Sequence, residues 1–222
     1  GGVNLVNNDV TGLKDMTKED FMSKDSYTGF FIGPKIEMDI PLAGLGLEVA
    51  ALYSQKGMTL ATDETYKLQS VLIPLNLRWG FGLGNLAKIF IAAGPEFDFN
   101  IGDNLEFVTG SKEQGIYSYT INKSTLSINA GVGVTVLKHL QVGVNYNIPW
   151  GNTAEVVAFS KGTIKEVEEK EGEVNTSKSL GEQLIDIKTK YENANASAGK
   201  TVDDITAKVK AGTLQLSVAY LF

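Results

Sequence analysis

The sequence predicts an all-β fold: an eight-stranded antiparallel up-and-down β-barrel that crosses a membrane, with short turns at one end and long loops at the other. Three observations point there. Apolar and polar residues alternate with period two over most of the 222 residues. The connections between the alternating stretches are short and long in turn. The polar face is built from small residues rather than the lysines and glutamates that usually face water.

Each strand follows from that alternation. A short first strand lies near Val3–Asn7. The second sets Phe30, Ile32, Pro34, Ile36, Met38 and Ile40 against Phe31, Gly33, Lys35, Glu37 and Asp39. The third sets Leu45, Leu47, Val49, Ala51 and Tyr53 against Gly46, Glu48, Ala50, Leu52 and Ser54. In the fourth, Val71, Ile73, Leu75, Leu77, Trp79 and Phe81 oppose Ser70, Leu72, Pro74, Asn76, Arg78 and Gly80. The fifth opposes Ile89, Ile91, Ala93, Pro95, Phe97 and Phe99 to Phe90, Ala92, Gly94, Glu96, Asp98 and Asn100. The sixth and seventh carry Leu126–Val134 and Leu140–Ile148 on the apolar face, with Asn, Ser, Gly, Thr and Gln between. The eighth is the closing LQLSVAYLF, residues 214–222. Short links fall around Ala43-Gly44, Leu83–Asn85 and Lys138-His139, and long ones at about 8–26, 57–67, 102–118 and 150–211. Residues 1–222 therefore read as one barrel domain with an extracellular insertion at about 150–211.

Composition narrows the class. A net charge of −6 argues against nucleic acid as a partner, because phosphate binding wants a basic face. There is no Cys, so neither a disulfide framework nor thiolate chemistry is available. No run of about 18 apolar residues exists, as a membrane helix would need. Barrel strands need only about 9–11 residues each, so a membrane barrel is untouched by that absence. The opening Gly1-Gly2-Val3-Asn4-Leu5 already reads as strand, and the expectation is that a signal peptide has been removed.

Alternation alone does not say which face points inward. A soluble lipocalin-like barrel would turn its apolar face in around a lipid, and a membrane barrel would turn it out. Small polar residues suit the crowded interior of a narrow barrel and favour the membrane reading. The aromatics agree. With both termini periplasmic, Trp79, Phe81, Tyr220 and Phe222 fall at the periplasmic rim. Tyr53, Phe97, Phe99, Tyr146 and Trp150 fall at the outer rim, with Tyr27, Phe30 and Tyr119 nearby. Two belts are what membrane interfaces favour.

The stretches GFFIGPKIEMDIPL, LEVAALYSQKGM, LQSVLIPLNLRWGF, IFIAAGPEFDFNIG and INAGVGVTVLKHLQVGVNYNI resemble the Bacteroidetes outer-membrane β-barrel family, PorT-like and of the small OmpA-like type. They cover strands two to seven. The resemblance implies an eight-stranded barrel in the outer membrane of a Gram-negative bacterium and brings no catalytic residue with it. The terminal Phe222 resembles the C-terminal aromatic through which the barrel-assembly machinery recognises such chains. The long last loop departs from the compact family pattern.

Candidate chemistry is sparse. Lys35, Glu37, Glu48 and Arg78 sit on neighbouring strands, facing inward at similar depth, with Glu48 about opposite Arg78. Buried charges must pair, so the expectation is an ion-pair network plugging the lumen. The competing reading is a gated pore or proton path. Lys56, Glu96 and Asp98 lie toward the outer mouth and read as solvated. The one histidine, His139, falls in a periplasmic turn beside no nucleophile, so no enzyme is expected. Asp98, Asn100 and Asp103 do not reproduce a calcium-loop spacing, and no metal or cofactor is expected.

The last loop is the most distinctive segment. Thr153–Ser160 and Thr163–Val167 read as a protruding hairpin, and EVEEKEGE at 166–173 as a solvated acidic run. Ser177 reads as the cap of a helix carrying Leu180, Leu184, Ile187 and Tyr191 on one face. Thr201 with Asp204 opens a second helix bearing Val202, Ile205 and Val209. In the first loop, Thr17-Lys-Glu-Asp20 before Phe21 and Met22 reads as one helical turn. The expected role is structural, or recognition and adhesion through these loops. The expected partners are membrane lipid and lipopolysaccharide, the assembly machinery, and an extracellular ligand or host surface. The alternatives are a small pore or transporter and a soluble lipid-binding barrel.

Overall fold

The computed structural model describes residues 1–11, 28–40, 44–59, 65–83, 86–102, 105–111, 115–198, 200 and 206–222. The strands are β1 Gly2–Thr11, β2 Thr28–Ile32, β3 Lys35–Asp39, β4 Leu45–Ala50, β5 Leu52–Thr59, β6 Thr65–Leu83 and β7 Ala87–Asn100. They continue with β8 Glu106–Ser111, β9 Gly115–Ile121, β10 Ser124–Val136, β11 Leu140–Pro149, β12 Ala154–Phe159 and β13 Thr206–Tyr220. Two helices, α1 Lys161–Glu171 and α2 Leu180–Asn195, follow β12. Ala43, Asn85, Tyr27, Asp103, the first-loop turn at 17–22 and residues 201–205 of the expected second helix lie outside the described residues.

Antiparallel pairing runs β1-β2-β5-β6-β7-β10-β11-β13, and β13 returns to β1, which closes a hydrogen-bonded ring. The β1–β13 ladder extends from Gly2↔Ser217 to Thr11↔Lys208. The sheet is divided more finely than eight uninterrupted strands: 13 are formed among the described residues. Two of the extra ones come from interruptions. Gly33-Pro34 separates β2 from β3 and Ala51 separates β4 from β5, and the breaks meet, with Ala51 N–H donating to Pro34 C=O at 3.1 Å. Pro34 has no N–H to give a ladder, and a Cβ on Gly33 would run into the Ala51 carbonyl oxygen. Because the breaks do not shift the parity, the apolar and polar faces carry on across them. The other three extra strands, β8, β9 and β12, belong to a cap.

The faces are those the alternation predicts. Ile36, Leu77, Ile91, Val132, Val142, Val144 and Val218 point away from the ring and are exposed. Asn4, Ser54, Ser70, Asn76, Glu96, Asn129, Gln141, Thr213 and Gln215 point inward and are buried. An apolar exterior around a polar interior reverses the order of a water-soluble domain. It is also the reverse of what a soluble lipid-binding barrel needs. At the short-turn end, Leu137 and Lys138 both adopt left-handed backbone (φ 51 and 64) within the three-residue link between Val136 and Leu140, where His139 N–H donates to the Val136 carbonyl at 3.2 Å.

The cap continues from the ring, with sheet order β13-β12-β9-β8. Residues Thr206–Val209 of β13 pair with Val157–Ala154 of β12, beyond the point where β11 stops. One face of this sheet buries Tyr117, Tyr119, Ile121, Ala154, Val156, Ala207 and Val209. The other buries Ile116 and Phe159 against Ile164, Val167, Val174, Leu184, Ile187 and Tyr191 of the helical segment.

Several expectations for the loops need correction. Residues 102–118 contain β8 and the first part of β9, which pair from Glu106↔Thr120 to Ser111↔Gly115, with Gly110 and Gly115 both at positive φ. Thr163–Val167 and most of EVEEKEGE belong to helix α1, since Ile164 and Val167 fall one turn apart over the sheet. The cap of α2 is Ser179 rather than Ser177, because Glu182 stands three residues after Ser179 and completes a capping box. Val209 is a residue of β13, held there by β12 and β1.

Candidate functional site

The inward charges gather toward the short-turn end of the ring. β3 places Lys35 and Glu37 on one face, and Lys35 Nζ reaches Glu37 at 2.8 Å and Glu48 at 3.4 Å. Arg78 is ion-paired with Glu37, and its Nε lies 3.8 Å from Glu48. The register differs from the expected one: Glu48 stands directly across from Asn76, and Arg78 across from Gly46. Glu48 and Arg78 therefore meet diagonally, which long side chains manage across two residues. The Arg78 guanidinium also lies over the Phe90 ring, 3.9 Å from its centroid.

Amides complete this cluster, and none of them stands out in the sequence. Asn76 Nδ2 donates to Glu48 at 2.9 Å, and Asn129 Nδ2 donates to Asn76 at 3.3 Å. Gln141, reaching from the far wall, donates to Glu37 at 3.0 Å and to Thr135 at 3.2 Å, and it accepts from Lys35. The one available signal was parity, since all three amides occupy inward positions of their strands. Two cations and two carboxylates thus share one hydrogen-bonded group that spans the ring from β3 to β11. Removing one partner from such a group strands a charge, which costs far more than an exposed pair would.

A second polar group lies nearer the cap. Lys56 Nζ meets Asp98 at 2.7 Å, and Glu96, 1% exposed, accepts from Asn147. Lys56 and Asp98 are half-buried rather than solvated. Glu96 stands between two small cavities, of about 60 and 70 Å³. A wider recess of about 380 Å³ opens at the short-turn end, lined by Glu37, Asp39, Arg78, Lys88 and Lys138.

The aromatic residues fall as two groups. Trp79 and Phe81 contact each other at 4.6 Å, and Tyr220 packs edge-on to Phe222 at 5.1 Å. All four are exposed near the short turns. At the other end Tyr53 contacts Phe30 at 6.0 Å, and Phe97, Tyr146 and Trp150 are exposed. Tyr119 instead is fully buried in the cap, stacked on Phe107 at 5.0 Å, so it is not part of a rim. His139 occupies the exposed turn, where its Nδ1 lies 2.9 Å from the Leu221 carbonyl and its ring stacks on Tyr220.

Comparison with known proteins agrees with this geometry. The family model for the outer membrane protein beta-barrel domain matches residues 1–222. No curated protein and no solved structure matches the chain. The inside-out burial and the full-length match agree on one assignment: the chain belongs to the outer-membrane protein β-barrel domain family.

Proposed function

We propose that this protein is a closed eight-stranded outer-membrane barrel, plugged by its own side chains, that works through the folded cap on its extracellular side. It is a non-enzymatic protein of surface recognition or adhesion, akin to the PorT-like and OmpA-like small barrels of a Gram-negative envelope. Supporting the plug, Lys35, Glu37, Glu48 and Arg78 pair within the interior, with Asn76 bonded to Glu48 from the neighbouring strand and Gln141 to Glu37 from the far wall. An eight-stranded barrel has an interior that side chains fill. Supporting the cap as the working part, it has two apolar cores of its own on a rigid base, the usual setting for a binding loop.

In this reading both termini are periplasmic, because short turns characterise that side. Lipid and lipopolysaccharide surround the apolar wall, the assembly machinery inserts the chain, and an extracellular ligand or host surface meets the cap. A net charge of −6 sets nucleic acid aside. The wide recess at the short-turn end favours one second reading, a narrow pore entered from the periplasm.

Planar-bilayer recording separates the two. The full chain is expected to give no steady conductance, and a resolved current that changes when Arg78 is replaced by Ala would overturn the plug. For the cap, deletion of residues 160–205 leaves β12 and β13 whole. The shortened protein is expected to keep heat-modifiable barrel migration and to lose binding to host-cell or glycan surfaces. Unchanged surface binding would remove the cap's role.

A further inference from the structure

We propose that the phenyl ring of Phe90 is the part of the plug that closes the lumen to ions. This rests on the plugged-barrel reading and names the side chain that makes the seal. Phe90 is an inward residue of β7 and only 4% exposed. The inward residues that follow it on that strand are Ala92, Gly94, Glu96, Asp98 and Asn100, all small or polar. A large apolar ring breaks that pattern at one point.

Two glycines make room for it. Phe90 pairs directly with Gly133 of β10, which pairs in turn with Gly143 of β11. A Cβ on Gly133 would run into Phe90 Cζ, and one on Gly143 would stand 3.9 Å from the same atom. Glycine inside a strand packs nothing of its own and marks a place where another group comes close. Here that group is the ring, which extends over Gly133 toward Gly143.

The ring is also the bed of the Arg78 guanidinium, whose carbon lies 3.9 Å from the ring centroid. Phe90 lines the small cavity of about 70 Å³, together with Lys35, Glu48 and Gln141. Arg78 lines the recess of about 380 Å³ at the short-turn end, together with Glu37 and Thr135. The stacked pair is thus part of the partition between the two spaces. Its charged and amide neighbours can each trade a protein partner for water. A phenyl ring cannot, and a hydrophobic constriction closes a pore by dewetting. The ring face also holds the guanidinium by cation–π attraction, which keeps Arg78 against Glu37.

The test is planar-bilayer recording on the full chain, with heat-modifiable migration confirming that each variant is folded. The parent and Phe90→Tyr are expected to show no steady conductance. Phe90→Ala should give a steady current roughly ten times the parent's baseline or more. Phe90→Leu keeps bulk without an aromatic face and should give brief openings, which carries the test if the alanine variant does not fold. Lys35→Met removes an ion-pair partner, leaves the ring in place and should stay closed. Moving the ring to the facing strand, in Phe90→Gly with Gly133→Phe, should close the lumen again. Silence of folded Phe90→Ala and Phe90→Leu beside a closed parent overturns the role of the ring and leaves the plug standing. A current in Lys35→Met equal to that of Phe90→Ala does the same, as does a double variant that stays open. A conducting parent overturns the plug and the ring's role together.

Discussion

The wall of the ring and the cap above it are built from the same alternating strands, yet they obey opposite burial rules. Strand β13 passes through both. Its inward face reads Ala207 and Val209 in the cap, then Thr213 and Gln215 in the ring, and all four are buried. Its outward face reads Lys208 and Lys210, then Leu216, Val218 and Tyr220, and all five are exposed. The side chains exchange character between Lys210 and Leu214 without any change of parity. The strand itself runs on unbroken, although its partner on one side changes there from β11 to β12. What changes is the surrounding solvent: water bathes the lysines, and hydrocarbon bathes the leucines. Strand β6 repeats the change, with Lys67 and Gln69 outward before Val71, Ile73, Leu75 and Leu77. From Val71 to Phe81 the apolar run has the length a tilted membrane strand needs, about 9–11 residues.

The comparison breaks most visibly if the two regions unfold separately. Phe159 is fully buried between the cap sheet and its helices, edge-on to Tyr191 at 5.9 Å. Phe159→Ala should cost the cap about 3–5 kcal/mol, the usual loss for a buried aromatic. Amide exchange in β9, β12 and α2 should accelerate while the ring keeps its thermal unfolding. A drop of the same size in both regions would show that cap and wall fold as one unit and that the boundary is only chemical.

A substitution on the lipid side tests the wall. Val144 lies halfway along the exposed face of β11, between Val132 and Leu216 on its neighbours. Arginine there should cost about 2–4 kcal/mol in a bilayer, as cations near the midplane of a barrel wall do. Lys210→Leu, just outside the apolar run, should stay within about 0.5 kcal/mol. Denaturant titration of vesicle-embedded protein reads both. A silent Val144→Arg beside a costly Lys210→Leu would put the membrane in the wrong place.

The same contrast explains what was legible in the sequence. Wall strands are long and their apolar residues recur at fixed parity, so Leu140–Ile148 and Ile89–Phe99 announce both their existence and their faces. Lys35, Glu37, Glu48 and Arg78 were visible because a charge on the inward parity is rare. Their amide partners were not, since Asn76 and Gln141 look like any other polar inward residue until register brings them across the ring. The breaks at Gly33-Pro34 and Ala51 were hidden because an interruption that keeps parity leaves no trace in the alternation. The cap was the least legible part. Strand β12 pairs with β9, more than thirty residues earlier, and only that pairing gives Phe159 and Ile116 a common core. Helix α2 was read correctly along its apolar stripe, but its start was misplaced by two residues, because Ser177 and Ser179 are equally plausible until the capping partner is counted.

That start offers the mildest test of the contrast, confined to the water-exposed side. Ser179 N–H and Oγ donate to Glu182 Oε2 at 3.0 and 2.9 Å, while Glu182 N–H donates back to Ser179 Oγ. The hydrogen bond from the Ser179 hydroxyl, followed by that from its backbone, holds the Glu182 carboxyl below the usual carboxylate range. A lowered folded-state pKa stabilises the helix above the unfolded value, about 4.3, and that contribution is lost as pH falls through the folded value. Ser179→Ala should loosen the first turn of α2 by about 0.5–2 kcal/mol at neutral pH. Glu182→Gln should leave the turn's exchange protection flat between neutral and mildly acidic pH, whereas the parent loses protection in acid. The wall carries no such box, so its protection should not follow this carboxylate. If Glu182→Gln still loosens in acid as the parent does, the first turn of α2 takes its pH dependence from another group.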